Sequence, residues 1–308
     1  MSAAISISGL TKVYGETRAL DGVDLEVAEG SVFGFLGPNG AGKTTTLRIL
    51  TGLARPSAGS ASVFGRDVVG ATNEVRARIG FLPDVPGFYD WMTAPEFLRF
   101  SGRLFGLAGA TLEARVEALL DLAGLAGVRT RLGGYSRGMK QRLGVAQALV
   151  NAPKLLMLDE PTSALDPIGR KEVLEMIASL GGRTTVFFST HILSDVERVC
   201  DTVAILDRGR VVTQAPIGEL KARYAGRTLV IEVAEGADAL ARRLAVEPWA
   251  SGVERLANGS VVVQSSDLAA ARRAVPAIVA EQGLGLVRFE AGEVTLEEVF
   301  VDLVGGDR

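Results

Sequence analysis

The sequence is short of several residues and patterns on which whole classes of protein depend. It has one cysteine, Cys200, which excludes an internal disulfide and a cysteine-only zinc site and fits a reducing compartment. It has no stretch approaching the roughly 18 uncharged apolar residues of a membrane-spanning helix. The N-terminal segment MSAAISISGLTK lacks the basic-then-apolar order of a signal peptide. The chain is therefore expected neither to be secreted nor to cross a membrane, and any membrane role must run through a separate membrane-embedded partner. It also lacks an excess of either charge. The 33 Lys and Arg against 36 Asp and Glu give a net charge of -3, and no basic stripe points to nucleic acid.

What is present is a chain of 308 residues, 47% of them hydrophobic, enough to bury a sizeable core and to exclude disorder. Composition changes near Tyr224. Residues 224–308 carry eight Arg, no Lys and thirteen Asp or Glu, a net of -5, against +2 for residues 1–223. The expected organisation is one domain over 1–223, with a helical subdomain at about 88–150, and an acidic module over 224–308. The acidic module reads strand (TLVIEV), helix (ADALARRLAV), two strands around Asn258-Gly259, a helix from about Leu268 kinked at Pro276, a strand (LGLVRFE) and a last helix. Asn258-Gly259 favours a two-residue hairpin turn. This βαββαβ order predicts a small ferredoxin-like α+β domain. Thr295 and Glu298 stand in capping-box spacing before the last helix, whose Leu296, Val299, Phe300 and Leu303 share one face that packs on its own domain or meets a partner.

In the larger domain, SVFGFL (31–36) is a buried strand that runs into a glycine-rich turn and then the helix TTTLRILTGL. Leu155 to Leu158 and Thr185 to Ser189 are further apolar runs, ending in Asp159-Glu160 and Thr190-His191. Such runs predict parallel strands buried on both faces, with chemistry at their carboxyl ends. The roughly 100 residues between the first two runs read mainly as helix, including Leu112, Val116, Leu119 and Leu120 after a Thr111 cap.

Gly37-Pro38-Asn39-Gly40-Ala41-Gly42-Lys43-Thr44 is a G-x-x-x-x-G-K-T between a strand and a helix. Its glycines let backbone N–H groups turn inward around phosphates, the helix N-terminus adds its positive end, and Lys43 brings a full charge to the β- and γ-phosphates. Thr44 is placed for Mg²⁺. Asp159 closes its strand as a carboxylate reaching that ion from the neighbouring strand. Glu160, directly after it, is the candidate to orient the attacking water. His191, the only histidine, ends its strand on the same edge and suits a γ-phosphate contact or a water-orienting role. Tyr14 offers a ring for stacking. Gly133 to Arg142 form a polar loop that can present Ser136 and a helix N-terminus to an anion.

These elements, in this order, resemble the ATP-binding subunit of ABC transporters, in the branch that pairs with ABC-2-type exporter membrane subunits. The resemblance is strong over about residues 5–220 and looser in the tail. It implies an α/β P-loop NTPase cassette with a helical insertion. Tyr14 then stacks on adenine, Gly37 to Thr45 form Walker A, and Leu155 to Glu160 form Walker B with the catalytic glutamate. Ser163 to Asp166 form the D-loop, and His191 is the switch histidine. The signature reads Y-S-R-G-M instead of L-S-G-G-Q, keeping Ser136 and Gly138 and changing Arg137 and Met139. At the Q-loop Asp84 stands where glutamine is usual, implying a contact to Mg²⁺ through bridging water. The resemblance further implies ATP with Mg²⁺, a homodimer with each ATP between one copy's Walker A and the other's Ser136, an integral membrane permease as partner, and a peripheral place on the cytoplasmic face of the membrane. No nucleic-acid partner is expected. The alternative is a soluble ABC ATPase acting on nucleic acid or the ribosome, but such proteins usually carry two cassettes or a long coiled-coil insertion, absent here.

Overall fold

The computed structural model describes residues 2–163, 165–224, 228–256, 259–291 and 295–305. The chain divides into two compact units, residues 1–217 and 218–308, so the division falls just after the first residue of the helix Ile217–Tyr224.

The first unit opens with β1 (Ala3–Tyr14) and β2 (Thr17–Ala28), then β3 (Val32–Leu36), α1 (Lys43–Leu50), β4 (Ala58–Val63), β5 (Arg66–Asp67), α2 (Thr72–Arg76) and β6 (Ile79–Leu82). Three longer helices follow, α3 (Ala94–Leu104), α4 (Gly109–Leu122) and α5 (Arg137–Ala148). The chain then alternates β7 (Leu155–Asp159), α6 (Pro167–Ala178), β8 (Thr185–Thr190), α7 (Leu193–Val199), β9 (Thr202–Asp207) and β10 (Arg210–Pro216) before α8 (Ile217–Tyr224).

Two sheets result: an antiparallel one in the order β2-β1-β4-β5, and a six-stranded one in the order β10-β9-β3-β8-β7-β6. In the second sheet every pair from β9 to β6 is parallel. The apolar runs read from the sequence are its middle strands, and every residue of β3, β7 and β8 is buried. Phe187 stacks on Phe33 with ring centroids 5.6 Å apart and meets Phe35 at 5.1 Å. Each such buried ring contributes about 1.5–3 kcal/mol.

Four local expectations are corrected. β8 lies between β3 and β7, so Asp159 approaches the glycine-rich turn from the next strand but one, not the neighbouring strand. The stretch read as mainly helical also holds β4 and β5, concealed by their polar and small residues, and β6, an apolar run of only four residues. Thr111 does not cap α4: Ala108 is the cap, and the bond from Leu112 N–H to the Ala108 carbonyl places Thr111 inside the first turn. The connection around Asn258-Gly259 is longer than a two-residue turn. Leu256 N–H bonds the Ser260 carbonyl, and Ala257 and Asn258 lie outside the described residues.

The second unit contains β11 (Thr228–Val233), α9 (Ala237–Leu244), β12 (Ala250–Arg255), β13 (Val261–Ser265), α10 (Leu268–Glu281), β14 (Leu286–Ala291) and α11 (Leu296–Gly305). Its sheet runs β12-β13-β11-β14 with every neighbouring pair antiparallel, a split βαβ arrangement repeated twice. Leu240 and Leu244 of α9 join Ala271, Val275, Ile278 and Val279 of α10 in a core with Leu229, Ile231, Val261 and Val263. The α10 positions fall at i, i+4, i+7 and i+8, one helix face. Pro276 sits inside α10, which continues to Glu281. The Thr295 and Glu298 capping box forms, and Leu296 and Val299 are buried.

Gly80 shows how tightly β6 meets α5. A Cβ added there would lie 1.9 Å from the Ala148 carbonyl oxygen, which cannot yield without moving the helix. Gly80→Ala is expected to destabilise the first unit by about 1–3 kcal/mol or more, read as a lower denaturant midpoint. An unchanged midpoint would mean that the two elements are not in this contact.

Candidate functional site

The site follows from strand register. Leu36 of β3 pairs with Thr190 of β8, and Asp159 of β7 pairs with Ser189. Three parallel strands therefore end level with one another, and the segments after them begin side by side. Gly37 N–H donates to the Thr190 carbonyl and Glu160 N–H to the Ser189 carbonyl, carrying the ladder one step beyond the sheet.

The glycine-rich turn 37–42 leads into α1, capped by Gly42 at φ 112° with no side-chain cap. Its approach is also close, for a Cβ there would lie 2.6 Å from both the Ala19 carbonyl oxygen and Leu20 Cδ2 of β2. The first-turn N–H groups of α1 are thus left to an external acceptor, as an anion site requires. Pro38, Asn39 and Gly40 are exposed, Ala41 is buried, and Thr44 is exposed with Thr45 half-buried beside it. Lys43 is buried and lies over the turn, Nζ donating to the carbonyl oxygens of Gly37 at 2.6 Å and Pro38 at 3.2 Å.

Lys43 Nζ also stands 3.3 Å from Glu160 Oε1. The other carboxylate oxygen, Oε2, lies 2.9 Å from His191 Nδ1 and accepts from Thr190 Oγ1 at 3.3 Å. Glu160 adopts φ 48°, a left-handed conformation that disfavours a side chain by roughly 1–2 kcal/mol. Asp159 is buried beneath it and accepts from the Thr44 hydroxyl and from Ser189 Oγ. Burial pushes the Asp159 carboxyl above its ordinary range, and the nearby Glu160 and Asp84 push the same way. The hydrogen bonds from Thr44 and Ser189 oppose the rise. Asp84 in turn accepts from Ser163 Oγ at 3.2 Å, joining the segment after β6 to that after β7.

The fold therefore gathers Lys43, Thr44, Asp159, Glu160 and His191, with Asp84 at their side. Ser136 and Asp166 are placed differently. Ser136 caps α5 and accepts from Met139 N–H, while Asp166 caps α6 and accepts from Gly169 N–H. The two helix starts come together where Gly138 faces Gly169. Ala164, between Ser163 and Asp166, lies outside the described residues. Tyr14 ends β1 with its ring 45% exposed and the Lys12 ammonium 4.7 Å from the ring centre. Sequence reading missed the hydroxyls of Ser189 and Thr190, though two polar residues ending an apolar run were the available signal. It also missed Thr162, Arg170 and Asp195, described below.

The ABC transporter family profile matches residues 20–163. The chain is 40% identical over 301 residues to the uncharacterized ABC transporter ATP-binding protein YxlF of Bacillus subtilis, covering 97% of this chain and 99% of that one. It is 35% identical to the bacitracin transport ATP-binding protein BcrA of Bacillus licheniformis, covering 99% of each. Among solved structures it resembles a dimeric ATP-binding cassette in a post-hydrolysis state bound to ADP and Pi. That match has a TM-score of 0.63 and 25% identity, over 69% of this chain and 98% of that one.

Removing the ammonium that spans the turn tests the phosphate reading directly. Lys43→Ala is expected to weaken binding of a nucleoside triphosphate by about tenfold or more, measured by calorimetric titration; unchanged affinity would contradict it.

Proposed function

The chain belongs to the ABC transporter ATP-binding family, and we propose that it is the ATP-hydrolysing subunit of an exporter whose membrane-spanning part is a separate protein. The observation that carries the catalytic assignment is the placement of Glu160, between Lys43 at 3.3 Å and His191 at 2.9 Å and directly after buried Asp159.

In this reading the backbone N–H groups of the turn 37–42 and the start of α1 receive the β- and γ-phosphates of ATP, and Lys43 leaves its carbonyl partners to pair with them. Glu160 orients the attacking water and accepts its proton, while Lys43 and His191 fix which way its carboxylate faces. His191, with its side chain 43% exposed, reaches the γ-phosphate side. Thr44 and Asp159 offer hard oxygen donors that already meet each other, a donor set that suits Mg²⁺. When bound, the ion would neutralise charge on the phosphates. Asp84 would reach it through water. Tyr14 stacks on the adenine.

Two copies of the chain pair head to tail, and Ser136 and Gly138 of each face the ATP held by the other. The placement of Ser136 and Asp166 on the touching starts of α5 and α6 supports this, because both would meet the second copy together. The contact to the membrane subunit is assigned to the surface between Asp84 and Phe105. A groove of about 370 Å³ lies there, lined by Phe88, Tyr89, Phe97, Phe100, Leu104 and Phe105. Tyr89 and Trp91 are exposed beside it, an apolar aromatic patch suited to a helix of the permease. Among the described residues no helix is long and apolar enough to cross a membrane; through its membrane partner this subunit is placed peripherally, on the cytoplasmic face.

Glu160→Gln is expected to bind ATP normally, lose turnover by about a hundredfold or more and accumulate as the ATP-bound dimer. Turnover at the normal rate would remove Glu160 from the mechanism. Affinity purification of the tagged chain from detergent-solubilised membranes of its host should recover an integral membrane protein with several spans. Recovery with ribosomes or nucleic acid instead would transfer the assignment to a soluble ABC ATPase.

A further inference from the structure

Asp195 is an acidic side chain that the proposed chemistry leaves unused, and it is 1% exposed. A carboxylate so buried persists only if its charge and lone pairs are matched. Oδ1 accepts from Arg170 Nε at 2.6 Å, and Arg170 Nη2 donates to Ser194 Oγ at 2.7 Å. Oδ2 accepts from Thr162 Oγ1 at 2.6 Å, and Thr162 is as buried as its partner.

The position of these groups along the chain gives them meaning. Thr162 comes two residues after Glu160, and Asp195 four residues after His191. The two segments, 160–162 and 190–195, are clasped at one end by the bonds from His191 and Thr190 to Glu160. At the other end they are clasped by the bond from Thr162 to Asp195. Between the clasps, Ile192 N–H donates to Thr190 Oγ1 and Asp195 N–H to the Ile192 carbonyl. The path from Glu160 through Thr162, Asp195, Ile192 and Thr190 back to Glu160 is a closed ring of covalent and hydrogen bonds. Arg170 ties that ring to α6, whose cap is Asp166.

We infer that Asp195 is a positioning residue for hydrolysis, holding the segment after Glu160 to the segment after His191 through Thr162 so that the two side chains keep their contact. This rests on the assignment of Glu160 and His191 made above. Glu160 sits in a left-handed conformation that the chain does not adopt unaided, and the Thr162 clasp fixes the backbone immediately after it. Loosening the clasp lets the Glu160 carboxylate wander, which lowers the rate of the chemical step and leaves the phosphate-binding turn intact.

The test uses the full chain with Mg²⁺ and ATP. Thr162→Val removes the hydroxyl while keeping the shape, and Thr162→Ser keeps the hydroxyl. Thr162→Val is expected to lower kcat by about tenfold with ATP affinity changed less than about twofold, and Thr162→Ser to restore kcat. Asp195→Asn combined with Thr162→Val should lower kcat no further than the more damaging single change, since the two act as one unit. The inference is overturned if Thr162→Val keeps kcat, if Thr162→Ser loses as much, or if affinity falls in parallel with kcat. Should Asp195→Asn fail to fold, the Val and Ser pair decides alone. Glu160→Gln in the same assay separates the two levels: turnover there refutes the underlying assignment whatever the clasp does.

Discussion

Everything proposed for this protein depends on the register of one parallel ladder. Because β3, β8 and β7 are locked so that Leu36 pairs with Thr190 and Asp159 with Ser189, the glycine-rich turn, His191 and Glu160 leave the sheet as neighbours. The side-chain bonds among Lys43, Glu160 and His191 refine a meeting that the backbone has already arranged. A slip of one residue would turn Asp159 to the other face of the sheet and separate the acids from the turn. Burial of all three strands on both faces, with Phe187 against Phe33 and Phe35, is what makes such a slip too costly to occur.

Much of this was readable because it is local. A phosphate-binding turn is specified by eight consecutive residues, and an apolar run that stops at Asp159-Glu160 announces its own edge. The order of strands was not readable, since it is set by crossovers and by what the helices cover, and so Asp159 was placed one strand too near. The clasp between Thr162 and Asp195 joins residues 33 apart and leaves no periodic trace. Hydroxyls that end a strand, such as Ser189 and Thr190, look like a boundary until the neighbouring carboxylates are in view. Thr111 and Asn258-Gly259 failed for a different reason: each is a good local signal that its surroundings overrode, one by an earlier helix start and one by a longer loop.

The two helix starts at Ser136 and Asp166 show a second way in which the fold organises function. Neither residue belongs to the Lys43 cluster, yet Gly138 and Gly169 bring their helices into contact, so the starts of α5 and α6 are packed as one corner. The second unit repeats the economy on a smaller scale, with two helices closing a four-stranded antiparallel sheet around its own core.

The left-handed backbone at Glu160 carries a consequence for how the protein tolerates change. Glycine would relax that position and asparagine would strain it less, so the replacements that local conformation favours are ones that remove the carboxylate proposed to orient the attacking water. On the proposed function, a glutamate here is kept at a cost in backbone strain that selection for stability alone would remove.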